Sequence, residues 1–127
     1  MSMRVPAVVK RAAHAAGLHR IATRPSDRRV EVRCDGELIA ASDRAVELRE
    51  TAVPVRYYLP REDVRTDLLT PSATTTHCPF KGDATYLSAP GCPDAFWVYD
   101  APAEADALPI AGLLAPSPRR VEVRTSR

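Results

Sequence analysis

The sequence has no long apolar run. Its apolar stretches are short and are interrupted by Arg, Pro or Asp, whereas a membrane-spanning helix needs about 20 consecutive apolar residues. The stretch from Val5 to Val9 is broken by Pro6 and is shorter than the roughly 7–15 apolar residues of a secretory signal. We therefore expect no membrane partner and place the protein in the cytoplasm.

Cysteine is also scarce. The three cysteines, Cys34, Cys78 and Cys92, are an odd number and lack the paired C-x-x-C spacing of zinc sites and redox motifs. Zinc could in principle use His77, Cys78 and Cys92, but no fourth ligand has a fitting spacing. The sequence therefore predicts three free, reduced thiols, no metal and no cofactor.

Charge of one sign is not in excess. The 18 basic and 16 acidic residues leave a net charge of +2, which gives no strong signal for a nucleic-acid partner. Lysine is almost absent, since Lys10 and Lys81 are the only two. A length of 127 residues suits one domain with a single core.

The first 18 residues differ in character from the rest of the chain. They have helix propensity around Lys10 to Ala16 but few large apolar side chains that would dock a helix. The sequence therefore predicts a flexible N-terminal appendage over residues 1–18, followed by a single domain over residues 19–127.

The strongest structural pattern begins at Val30. Apolar and polar residues alternate from Val30 to Cys34, and Asp35-Gly36 then separates them from residues 37–41. Asp-Gly favours a type I′ turn, so the pattern predicts a β-hairpin with Val32 opposite Ile39. The buried face is predicted to carry five side chains: Val30, Val32, Cys34, Ile39 and Ala41.

Further strand patterns follow along the chain, separated by turn residues. This spacing is typical of a mainly β protein rather than of alternating βαβ units. We expect a sheet pair or open barrel of about seven or eight short strands, with one or two short helical turns near residues 61–64 and 108–114. Val46 and Leu48 are expected to point inward, and Trp97, the only tryptophan, to be buried. Beyond the hairpin, strands are predicted at residues 45–50, 55–59, 74–78, 84–88, 95–99 and 121–123.

Three segments resemble one known family. They are YYLPREDV from Tyr57 to Val64, HCPFKGDA from His77 to Ala84, and WVY from Trp97 to Tyr99. In order and spacing they are similar to domain-of-unknown-function family 427, over about His19 to Val123. The resemblance implies a compact, largely β domain and assigns no reaction to any residue.

The family is sometimes labelled a nucleotidyltransferase domain. Known nucleotidyltransferases typically pair a Gly-Ser element with metal-binding carboxylates, and this chain has no Gly-Ser dipeptide. It also has Ala115-Pro116-Ser117-Pro118 where the family usually carries aromatic residues. The label therefore predicts no particular chemistry here.

The densest polar cluster extends from His77 to Asp83. Adjacent strand residues point to opposite faces, so His77 and Cys78 are not expected to act on one substrate. We interpret Cys78 as a small buried residue and His77 as either a structural histidine or a site residue. Lys81, next to a glycine, either pairs with Asp83 on the surface or presents its ammonium to an anion.

Two further groups allow both an ordinary and a functional interpretation. The alternating charges from Arg61 to Asp67 are typical of a solvated turn, but Arg61 could hold an anion and Asp63 could bind Mg²⁺ with Asp67. The aromatic residues of the strands are either core or the walls of a pocket for a planar ligand. The candidate pocket aromatics are Tyr58, Trp97 and Tyr99.

Three functions remain open on this basis. The first is a binding domain for a small anionic or nucleotide-like molecule, with Tyr58, Trp97 and Tyr99 as the floor and with Arg61, Asp63, His77 and Lys81 around it. The second is an enzyme of unknown class, with the nucleotidyltransferase-like activity of the family label as one option. In it His77 is the general base, and Lys81 and Arg61 stabilise developing negative charge. The third is a protein interaction module, such as a homodimer formed through a sheet edge.

Overall fold

The structure, a computed structural model, describes residues 19–127 and contains ten β-strands in three antiparallel sheets. The mainly β class predicted from the sequence is confirmed. The strands are β1 (Ile21–Pro25), β2 (Arg29–Cys34), β3 (Glu37–Ser42), β4 (Val46–Glu50), β5 (Val53–Tyr58), β6 (Thr70–Cys78), β7 (Gly82–Ala89), β8 (Cys92–Val98), β9 (Ala115–Pro116) and β10 (Glu122–Ser126).

Two of the ten strands had not been predicted. β1 precedes the first predicted strand and ends at Pro25, and β9 contains only two residues. Both are defined by their partners in the sheet, β4 and β8, rather than by an alternating pattern of their own. Short strands of this kind depend on non-local pairing, which the local sequence does not encode.

The helical content of residues 19–127 consists of three short 3₁₀ turns, at Arg61–Asp63, Thr66–Leu68 and Ala105–Ile110. The first was predicted, while the third begins three residues before the predicted start of its segment at Leu108. Among residues 19–127 no helix has the length and apolar character needed to span a membrane. The N-terminal appendage predicted for residues 1–18 lies outside the described residues.

The three sheets have the strand orders β1-β4-β5, β10-β2-β3 and β6-β7-β8-β9. The four-stranded sheet contributes to two separate apolar clusters, because alternate residues of its strands point to opposite faces. Phe96 and Val98 belong to the first cluster, together with residues of β2 and β3. Ala84 and Tyr99 belong to the second cluster, together with Leu48 and Tyr58 from β4 and β5.

The β2–β3 hairpin forms as predicted, with one difference in register. Asp35 and Gly36 adopt φ angles of 50° and 85°, as a type I′ turn requires. A β-bulge after the turn pairs Val32 with Ala40 instead of Ile39. Ala40 is therefore buried in place of the predicted Ala41, which is half-buried. The bulge adds a residue to β3 and shifts its later side chains between faces.

The strands β4 and β8 show two further differences in burial. Leu48 is fully buried as predicted, but Val46 is only half-buried, and the buried neighbour is Glu47. The carboxylate of Glu47 contacts the guanidinium groups of Arg24 and Arg49. In β8 the fully buried aromatic residue is Phe96, whereas Trp97 is partly exposed. The prediction of a buried Trp97 was therefore wrong in degree.

The prediction of three free cysteines is wrong for two of them. Cys34, at the end of β2, and Cys92, at the start of β8, form a disulfide bond across a sequence separation of 58 residues. Cys78 is the free cysteine among the described residues and is partly buried. The odd count and irregular spacing could not reveal the pair, because disulfide pairing depends on where two distant turns meet.

Candidate functional site

The structure separates the residues of the His77–Asp83 cluster onto two faces of one sheet. His77 pairs with Asp83 in the β6–β7 ladder, and its Nδ1 atom lies 2.6 Å from the Asp83 carboxylate on the exposed side. Cys78 points to the other face and packs against the second apolar cluster. The expected separation of His77 and Cys78 therefore follows from strand alternation.

Lys81 is buried and does not pair with Asp83. It follows β6 in the turn to β7, and its ammonium group contacts the carboxylate of Glu50 at the end of β4. The Lys81 side chain is 10% exposed and that of Glu50 is 4% exposed. The Lys81 Nζ atom also lies 5.8 Å from the centre of the Tyr99 ring. This ion pair therefore connects two sheets inside the protein.

The backbone around Lys81 is fixed by the neighbouring loop. The Lys81 carbonyl accepts a hydrogen bond from the amide of Ala103 at 3.0 Å. Gly82 has a φ of 99°, and a Cβ atom there would lie 3.1 Å from the carbonyl oxygen of Ala101. A side chain at position 82 would therefore be both strained and crowded. These contacts hold the lysine against Glu50 instead of leaving it on a solvated turn.

A histidine contacts the same carboxylate. The Nε2 atom of His19 lies 3.1 Å from the second carboxylate oxygen of Glu50. The His19 ring stacks on Phe80, with ring centres 3.5 Å apart. Glu50 is thus shared between an ammonium and an imidazole, a contact that the sequence did not suggest, because His19 and Glu50 are far apart in the chain.

Two tyrosines are buried beside this pair. The hydroxyl of Tyr58 accepts a hydrogen bond from the indole nitrogen of Trp97 at 3.0 Å, and the two rings meet edge to face. Burial raises the pKa of Tyr58 and of Tyr99 well above the ordinary value of 10.0. Both phenols therefore stay protonated and serve as neutral hydrogen-bonding groups.

The aromatic residues beside the Glu50–Lys81 pair reach the surface at Trp97, which is partly exposed. Tyr86 is its cross-strand partner on β7, and the Tyr86 hydroxyl lies 3.1 Å from the hydroxyl of Thr76. The guanidinium of Arg56 on β5 lies 5.8 Å from the centre of the Trp97 ring. We refer to Arg56, Thr76, Tyr86 and Trp97 as the Trp97 surface.

Arg56 differs from the other charged groups in this region. Within the part of the chain that the structure describes, no carboxylate forms an ion pair with it, whereas Lys81 is paired with Glu50. A guanidinium carries five N–H donors, and a cation over an indole ring is attracted by the ring face. Arg56 is therefore a half-buried cation that is positioned by Trp97 and open to an anion.

The remaining predicted site residues lie elsewhere. Arg61 is exposed on the first 3₁₀ turn, and over residues 19–127 no described hydrogen bond or ion pair joins it to Lys81 or His77. Asp63 accepts hydrogen bonds from Arg44 at 2.9 Å and from Ser42 at 2.6 Å. These bonds hold the pKa of the Asp63 carboxyl below its ordinary value. Asp67 pairs with Arg65, so both carboxylates are occupied locally.

Among the residues that the structure describes, metal-ligand side chains also come together at the end of β2. Cys34, Asp35 and Cys92 have ligand atoms within 4.8 Å of one another. The disulfide bond uses both sulfur atoms, so this group offers only the Asp35 carboxylate as an anionic ligand.

Three surface clefts also lie apart from the Trp97 surface. One cleft of about 540 Å³ runs between Thr23 and Pro109. A second, of about 400 Å³, is lined in part by Asp63. A third, of about 380 Å³, lies beside Ile21 and Asp106.

Fold and site together define a small, mainly β domain with a buried ion pair beside a cluster of aromatic residues. Comparison with family models identifies the family. The chain belongs to the family described as Domain of unknown function (DUF427), whose model matches residues 22–127. The resemblance noted in the sequence is therefore confirmed. No curated protein matches the chain.

Proposed function

We propose that this domain binds a small, planar, anionic molecule of nucleotide-like chemistry at the Trp97 surface. The observation that carries the proposal is the position of Arg56, a cation without an acidic partner among residues 19–127, over the partly exposed ring of Trp97. An indole ring offers a large flat contact area, and the guanidinium held over it keeps N–H donors available for an anion.

The surrounding groups support the same ligand chemistry. Trp97 and Tyr86 offer aromatic area for a planar ring, and Thr76 and Tyr86 offer hydroxyls. The Arg56 guanidinium would meet the anionic group, since charge-assisted hydrogen bonds to phosphate or carboxylate are the strongest that a side chain makes. Tyr58 supports the site from below by fixing the indole nitrogen.

Lys81 has a different role in this proposal from the one predicted. Glu50 neutralises its charge, so Lys81 supports the floor next to Tyr99 and does not bind the anion directly. A buried ion pair often stabilises a protein no more than apolar residues of the same volume would. Its presence here supports the proposal, since natural proteins place such costly groups where function requires them.

The test uses Trp97 as its own reporter. Trp97 is the only tryptophan of the chain, so a ligand on the Trp97 surface should change the intrinsic fluorescence directly. Nucleotides, sugar phosphates and aromatic carboxylates are titrated against the wild type. Arg56→Gln should weaken the anionic ligand by about 10- to 100-fold, as expected for a hydrogen bond to a charged group.

The matched control is Arg119→Gln, which removes an exposed arginine from the segment before β10. It should leave affinity unchanged. The proposal fails if no compound changes the fluorescence at about 10 mM, well above the dissociation constants of specific small-molecule sites, or if Arg119→Gln weakens binding as much as Arg56→Gln.

A second candidate function is catalysis with His77 as the general base. The contact between His77 and Asp83 favours it, because a carboxylate on one ring nitrogen orients the other toward a substrate. His77 lies on the sheet face opposite Trp97, so substitutions at one candidate site should not alter the other. Turnover of a screened compound that His77→Ala abolishes would support catalysis, and retained turnover in that variant would reject it.

The cytoplasmic location also remains a proposal. Disulfides persist mainly in oxidising compartments, so the redox state of Cys34 and Cys92 in the cell reports on the compartment. If the protein is cytoplasmic, alkylation of intact cells should trap Cys34 and Cys92 as free thiols. A fully oxidised pair in fresh cells would contradict a reducing location.

A further inference from the structure

The strand β6 forms one edge of the four-stranded sheet. It is nine residues long and, within residues 19–127, pairs with β7 alone. Its side chains are exposed or half-buried along the whole strand. An edge strand presents unpaired backbone N–H and C=O groups, which form a template for another strand.

The other edge strands carry charges that discourage such pairing. β1 contains Arg24, β3 contains Glu37, β5 contains Arg56, and β10 contains Glu122 and Arg124. Charged side chains on an edge are a common protection against strand addition. The two-residue β9 is too short to add a strand. β6 has no Asp, Glu, Lys or Arg in its nine residues.

Regular pairing in the second half of β6 runs from Thr75 to Cys78, because the register with β7 shifts between Pro71 and Thr75. The hydroxyl of Thr74 donates to the Asp94 carboxylate at 2.8 Å, and the hydroxyl of Thr76 contacts that of Tyr86. Thr75 is exposed between them and pairs with Thr85 of β7. Fixed side chains lower the entropy that a new strand contact must offset. Pro71 leaves the beginning of β6 less suited to pairing.

We propose that two copies of this chain pair along β6, antiparallel about a two-fold axis at Thr75 or Thr76. A two-fold axis places the same strand opposite itself, so a strand with like charges would repel its copy. With the axis at Thr75, Thr74 lies opposite Thr76, and with the axis at Thr76, Thr75 lies opposite His77. The two sheets become one continuous sheet. The absence of Asp, Glu, Lys and Arg from β6 is the argument for a second copy over an unrelated peptide.

The contact is small, because it rests on one pair of strands. Interfaces of this size lie at the weak end of specific association. We therefore expect a dimer with a dissociation constant on the order of 100 µM, seen as a concentration-dependent mass in sedimentation. A wild-type chain that remains monomeric at about 1 mM would overturn the proposal.

Charges at position 75 test the geometry. With the axis at Thr75 or Thr76, the two side chains at position 75 are direct or diagonal neighbours on one face. Thr75→Lys and Thr75→Glu should each weaken the dimer at least about tenfold through repulsion. An equimolar mixture of the two variants should regain association as a heterodimer.

Thr85→Lys is the matched control, because Thr85 is also exposed on the same face but lies on the interior strand β7. It should change the dissociation constant by less than about twofold, since its charge lies a further strand from the axis. Melting curves confirm that all variants fold. Equal weakening by Thr85→Lys, or no recovery in the mixture, would overturn the proposed axis.

Discussion

The two faces of the four-stranded sheet bury different kinds of residue. On one face Phe96 and Val98 pack among aliphatic side chains of β2 and β3. On the other face Tyr58 and Tyr99 lie beside the Glu50–Lys81 ion pair and the partly exposed Trp97. Each face packs in part against another sheet, so burial alone does not explain the polar groups buried on the second.

The difference shows which face needs an explanation beyond stability. Apolar side chains give the first face its stability directly, because burial of apolar area is the main favourable term in folding. The second face carries charged and hydroxyl groups whose desolvation opposes folding. We interpret the first face as the structural core and the second as the support of the proposed site.

The largest effect should come from the first face. Phe96→Ala should lower the free energy of unfolding by about 3–5 kcal/mol, because it leaves a cavity in a fully buried position. Trp97→Ala, one residue away on the other face, should cost roughly half as much, since Trp97 is partly exposed. Urea unfolding measures both. Equal losses would contradict the contrast between the faces.

On the second face, replacing the whole Glu50–Lys81 ion pair should preserve stability but weaken ligand binding. Lys81→Met should cost up to about 3–5 kcal/mol, because it leaves the buried Glu50 carboxylate with His19 as its remaining partner. The double variant Lys81→Met, Glu50→Met should regain much of that stability, since apolar residues of similar volume can replace a buried pair. Its fluorescence response to ligand should nevertheless be weaker. A double variant as unstable as the single one would show that the pair itself stabilises the fold.

The smallest effect concerns alkaline pH. The folded-state pKa values of Tyr58 and Tyr99 are raised above the ordinary value of 10.0 by burial. The stability that these groups contribute is therefore fully present below pH 10 and falls as the pH rises above it, because the unfolded chain loses these protons first. Unfolding followed at increasing pH, with phenolate absorbance recorded in parallel, measures this loss. Tyr58→Phe should flatten the dependence, and an unchanged slope would contradict it.

Much of the fold was predictable because its signals are local. The Asp35-Gly36 turn and the alternation in β2 predicted the hairpin, and the alternation in β4 predicted that Leu48 is buried. The bulge that exchanges Ala41 for Ala40 was not predictable, because it depends on packing between sheets.

The site was less predictable, since its contacts join distant parts of the chain. His77 and Lys81 are close in sequence, yet one pairs with Asp83 on an exposed face and the other with Glu50 inside. Glu50 is 31 residues from Lys81, and no spacing rule connects them. The pairing of Lys81 with Glu50 depends on how two distant strand ends pack together in three dimensions.

The disulfide bond changes what a break in the chain would do. Residues 34 to 92 form a covalently closed ring, and the segments before and after it are two tails. A protease that cuts once inside the ring, at any turn between β3 and β7, would leave both products joined and their strands still in place. Glu50 and Lys81 lie within the ring, whereas Trp97 lies on a tail. The support of the proposed site would therefore survive a single cut that separates an ordinary domain of this size into two pieces.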